Sequence, residues 1–118
     1  MKQLRKERTW NNFMNRLQNL SNARLQSIEI SNRKFNEFCM DNYKKSRDEI
    51  IDYAKSLDEE EEREDELLEV LQEWINHLGK TLVVSSIRVK LTDVNRYFKY
   101  HKVRVDTKEI EFPQELKE

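Results

Sequence analysis

One cysteine, one proline and one glycine are all that 118 residues hold of the types that staple a chain or turn it sharply. So few turn formers argue against a β-sandwich or a run of hairpins and favour long helices. The lone Cys39 rules out an intramolecular disulfide, and a reducing, cytoplasmic setting is the default that follows. No window approaches the roughly 18 apolar residues of a membrane span. The opening MKQLRKERTW also lacks the apolar run of a secretory signal, so no membrane partner is expected. Missing too are a glycine-rich phosphate loop, any metal-ligand spacing around His77 and His101, and the ligand pattern of a calcium loop in the acidic run. Neither a catalytic constellation nor a metal, cofactor or small-molecule substrate is expected.

What is there is charge, 38% of the chain against 36% hydrophobic residues, with the apolar positions at helical spacing. The fold class expected is all-α, one small domain with a real core and charged outer faces. The net charge of −1 hides opposed blocks. Asp58–Glu66 has eight acids against one arginine, Lys80–Arg104 seven bases against one acid, and Met1–Arg24 six bases against one acid. Local fields of that kind steer anionic partners.

Trp10, Phe13, Met14, Leu17 and Leu20 form the apolar stripe of a basic helix from about Lys2 to Leu20, with Arg8 and Arg16 mostly off it. Ser21 and Asn22 mark a break, and Leu25, Ile28, Phe35, Phe38 and Cys39 run along a second helix to about Asn42, with Cys39 a core residue. Ser46-Arg47-Asp48-Glu49 fits a capping box, so a third helix begins near Arg47. The acidic run is either a solvated loop or the exposed start of the next helix, where carboxylates suit the dipole. A sharper reading makes it an internal mimic of nucleic acid.

Leu67–Arg104 reads as a helical hairpin. Leu67, Leu68, Leu71, Trp74, Ile75 and Leu78 fall at helical spacing, and Gly79 stands where a left-handed cap would end that helix. Paired Ser85 and Ser86 are placed to cap the next one. At about 100° per residue Ile87, Leu91, Val94 and Phe98 share one stripe, while Arg88, Thr92, Asn95, Lys99 and Lys102 share a polar one about 80° wide. Asp93 projects elsewhere. Val103-Arg104-Val105 and Ile110-Glu111-Phe112 alternate briefly, and residues 105–118 read as an acidic tail or linker after a domain of residues 1–104.

From Ser86, Ile87 and Arg88 through Lys90 and Leu91 to Val94, Tyr97 and Phe98, the sequence resembles the last long helix of the core-binding domain of tyrosine recombinases, the phage-integrase family. The helix carrying Leu71, Trp74, Ile75 and Leu78 resembles the family's preceding helix, and Phe35-Asn36-Glu37-Phe38-Cys39 an earlier aromatic stretch of archaeal members. Lys90 departs from the usual aromatic. The resemblance implies a SAM-like bundle of four or five helices over one side of duplex DNA. It also implies a separate catalytic domain beyond Glu118 that holds the arginines, histidine, lysine and tyrosine nucleophile, with other recombinase protomers in the assembly.

The expected function is therefore DNA binding through phosphates, without catalysis. Arg88, Thr92, Asn95 and Lys99 are expected to face the duplex, with Asn95 able to read adenine; Lys80, Thr81, Ser85 and Ser86 to hold phosphate; Lys90 and Arg96 to flank. The alternative is a protein-interaction module that docks an acidic or helical partner through the Leu67–Leu78 helix or the basic N-terminal helix.

Overall fold

The computed structural model describes residues 7–113, and among them the chain forms five helices, a 3₁₀ turn and no strand. The helices are α1 (Trp10–Arg16), α2 (Asn22–Tyr43), α3 (Arg47–Ser56), α4 (Glu60–Leu78) and α5 (Val84–Tyr100), and the 3₁₀ turn is Thr107–Glu109. The all-α bundle expected from composition and periodicity is the fold.

Local chemistry sets most of the starts. Thr9 Oγ1 accepts from the Asn12 N–H and Ser21 Oγ from that of Arg24, so α1 and α2 each begin on a satisfied donor. Ser46 and Glu49 close the capping box, each taking the other's backbone N–H. α1 is shorter than the stripe predicts. It ends at Arg16, and the basic positions before Glu7 lie outside the described residues. The acidic run resolves as the exposed first turns of α4, with Glu60, Glu61 and Glu62 at the positive end of the helix dipole.

Two expectations about helix ends are overturned. Gly79 is right-handed, with φ −63°, so its lack of a Cβ serves a close approach rather than a left-handed turn. A Cβ there would lie 2.2 Å from Pro113 Cγ. The left-handed positions belong instead to Lys44 and Lys102, at φ 57° and 61°. Lys102 sits in a Schellman closure: its N–H donates to Lys99 O and that of Val103 to Phe98 O. The paired serines are not caps either. Val83 is the N-cap of α5, with no side-chain cap bond, and Ser85 and Ser86 fall inside the first turn.

The core gathers Phe35, Trp74, Leu71, Ile75, Ile87, Val94 and Phe98 from α2, α4 and α5. Cys39 joins them, and burial holds its thiol up at about 12. α1 lays Trp10 and Phe13 against Tyr97 and Tyr100. Beneath it Arg47, 8% exposed, stacks 3.9 Å from the Tyr97 ring centre and 5.0 Å from that of Trp10, with Asp48 accepting from both Arg47 Nε and the Tyr97 hydroxyl. Arg8 and Arg16, off the apolar stripe by helical spacing, both lie on Tyr100.

From Val105 to Pro113 the chain stays on the bundle. Val105 and Ile110 are buried, Asp106 N–H donates to Glu64, and Gln72 exchanges two hydrogen bonds of 2.8 Å with the Glu111 backbone. This strap of residues 103–113 runs beside α5 and decides what that helix can show to solvent.

Candidate nucleic-acid interface

α5 is more enclosed than one apolar stripe implies. Ile87, Leu91, Asp93, Val94, Asn95, Tyr97, Phe98 and Tyr100 are all buried, because α1, α2, α4 and the strap close around it. The exposed arc carries Ser85, Arg88, Val89, Thr92 and Lys99, about 100° wide, with Arg96 partly covered at its edge.

Of the polar stripe, Arg88, Thr92, Lys99 and Lys102 reach solvent and Asn95 does not, being only 8% exposed. Arg88 is not free: its guanidinium lies 4.2 Å from the Phe112 ring centre, captured by the strap. Thr92 donates its hydroxyl to Arg88 O at 2.9 Å and so offers a phosphate lone pairs only. Lys90 turns toward α2, where burial and the neighbouring Lys34 lower its pKa. Lys80, Thr81, Ser85 and Ser86 are exposed together at the start of α5. Lys99 stands fourteen residues beyond Ser85, about 21 Å along the axis. The expected site is thus two clusters, one at the start of α5 and one near its end, with Arg88 stacked on Phe112 and Lys90 turned toward α2 between them.

The second cluster has a shape. A cleft of about 780 Å³ opens between the start of α2 and the exposed arc of α5, lined by Leu20, Ser21, Arg24, Leu91, Thr92, Asn95, Arg96, Lys99 and Thr107. Past Asn95, Lys99 and Thr107 it meets a second of about 530 Å³, whose walls add Lys102, Arg104 and Lys108 and a single acid, Asp106. No residue of the Asp58–Glu66 run lines either one. The acidic mimic therefore has no support as an occupant of this cleft.

Asp93 explains one of the cations. Its Oδ2 accepts from Ser27 and Ser31 at 2.9 and 2.7 Å. Arg24 Nη1 stands 2.8 Å from Oδ1, a charge contact without the angle of a hydrogen bond. Arg24 is thereby neutralised, whereas Arg96 and Lys99 have no acidic partner among the described residues. Asn95 Oδ1 is buried and has no donor among the described residues.

Comparison with known proteins adds nothing to this geometry. No family model, curated protein or solved structure matches the chain.

No three His, Cys, Asp or Glu side chains among the described residues converge as metal ligands, and no described helix is long and apolar enough to cross a membrane. Arg24, Ser21, Thr107, Arg104 and Lys108 enter the cleft without having been marked in the sequence. A signal for Arg24 was present: Arg24, Ser27 and Ser31 form one polar row on α2, which calls for a buried partner. Nothing comparable points to Thr107, which arrives on a turn held by the strap.

Proposed function

We propose that this chain is a DNA-holding domain of the tyrosine recombinase or integrase kind, non-catalytic by itself, working inside the cell on duplex DNA beside other recombinase protomers. The observation that carries the reading is the lining of the joined cavities. Arg96, Lys99, Lys102, Arg104 and Lys108 surround them, with Asp106 the only acid among the described lining residues. Cations gathered on one face bind a polyanion by releasing its counterions, with no need for base contacts. Lys80, Thr81, Ser85 and Ser86, some 21 Å away along α5, supply a second place for backbone phosphate.

The rival reading, a protein-docking module, loses its apolar surfaces. Leu67, Leu71, Trp74, Ile75 and Leu78 of α4 are buried in the core, and α1 is packed on Tyr97 and Tyr100. Among the described residues neither helix has a free hydrophobic face to offer a partner.

The test is duplex binding by fluorescence anisotropy at low salt. A dissociation constant on the order of 10⁻⁴ to 10⁻⁶ M is expected near physiological salt. Replacing Arg96 and Lys99 together by alanine should weaken binding at least tenfold, while Arg33→Ala on α2, where Arg33 pairs with Glu37, should change little. Absence of duplex binding even at low salt would overturn the reading.

A further inference from the structure

Phosphate contact does not account for Asn95. A buried acceptor without a donor is unfavourable, and this one belongs to a side chain that lines both cavities. Its neighbours do not relieve it. The Thr92 hydroxyl is committed to Arg88 O, and Asn32, which donates to the backbone of Asp93, is committed to Ile28 O as well.

The chemistry of the cleft narrows what can fill it. Its volume of about 780 Å³ is that of a pocket for a compact ligand. Bases held in the stack present only their edges in the grooves, so a base can fill the cleft only after leaving the stack. The floor of the cleft is apolar at Leu20 and Leu91, and its mouth carries the unpaired cations Arg96 and Lys99. A bare anion would satisfy the cations and could accept from Asn95 Nδ2, but it brings no donor for the buried Oδ1. The occupant must therefore bring an N–H donor as well as negative charge, and have a flat, partly apolar body. A nucleobase on its phosphate has all three, and a guanidinium plane such as that of Arg96 is a surface on which bases stack.

We propose that this cleft takes one unpaired nucleotide of a DNA strand, its phosphate on Lys99 and Arg96 and a base N–H on the Asn95 carboxamide. The carboxamide turns about χ2, a broad torsion, to present Oδ1. The inference rests on the DNA reading above and deepens it: the duplex lies across the mouth, and a base released from the stack enters.

The experiment compares a flush duplex of about 30 base pairs, the same duplex with one central unpaired nucleotide, and free 5′-mononucleotide as competitor. The wild-type chain should bind the interrupted duplex about tenfold more tightly than the flush one. Asn95→Leu should bring that ratio to about one. Should Asn95→Leu fail to fold, the side-chain amide resonance of Asn95 in ¹⁵N-labelled wild-type chain gives the second readout, and it should shift with the interrupted duplex and not with the flush one. Equal affinity for both duplexes overturns the cleft proposal and leaves duplex binding standing. No affinity for either overturns both. Displacement of the interrupted duplex by equimolar mononucleotide would overturn the strand as the source and make the cleft a mononucleotide site.

Discussion

Asp93 and Asn95 stand two residues apart on α5, one fully buried and the other 8% exposed, yet their surroundings differ. Around Asp93 the α2–α5 seam supplies two serine hydroxyls and a guanidinium. Around Asn95 the cleft supplies Leu20, Leu91 and two unpaired cations, and no donor to Oδ1. A polar group whose charge is matched by partners inside the fold holds the fold together. One whose needs are left open, beside a cavity, is the better candidate for meeting something from outside.

Removing each side chain should separate the two roles. Asp93→Ala leaves Arg24 opposite two serines in a closed seam and should cost about 2–4 kcal/mol, discounted because a third of Arg24 is exposed. Asn95→Ala removes an orphaned acceptor and should change stability by less than about 1 kcal/mol. Urea midpoints of the two variants read the contrast directly. Equal losses would end it.

The strap is the next part to break, since it walls the cleft at Thr107. Gly79→Ala drives a Cβ into Pro113 and should cost about 1–3 kcal/mol. Hydrogen exchange at the Glu111 amide, which donates to Gln72, should rise with it. At the other end of the scale, Lys44→Gly at φ 57° relieves a left-handed lysine far from the cleft and should gain about 0.5–1 kcal/mol.

Much of the fold was legible in the sequence. The Ser46–Glu49 box, the stripes of α4 and α5 and the break at Ser21 are local signals, and each held because local chemistry decides helix starts and apolar faces. What stayed hidden depends on segments distant in sequence. Asn95 sits on the solvent stripe by helical arithmetic but is buried, at a cavity whose walls include the Thr107 turn from outside the helix. Gly79 looked like a cap because its partner, Pro113, is thirty-four residues away. Arg47 is the first residue of α3, as the box implies, but its guanidinium also lies over the Tyr97 and Trp10 rings, which no local pattern announces. Of the site, the exposed cations were readable, and the cleft that gathers them was not.

His101 sharpens the comparison by pH. Burial lowers its pKa from the ordinary 6.5, opposed by Asp48 and Asp52 and reinforced by Lys55 and Arg47. The unfolded chain therefore binds the proton more readily. The stability this contributes is complete above about pH 6.5 and is lost as pH falls through that value toward the folded one. The smallest effect expected is a stability slope over this window that His101→Phe reduces.

The salt dependence of duplex binding tests the central claim most directly. With four or five phosphate contacts, log K for a labelled duplex of about 30 base pairs should fall against log salt with a slope of about −4, flattened by about one unit in Lys99→Ala. A slope near zero, or one that Lys99→Ala leaves unchanged, would contradict the placement of DNA on this face.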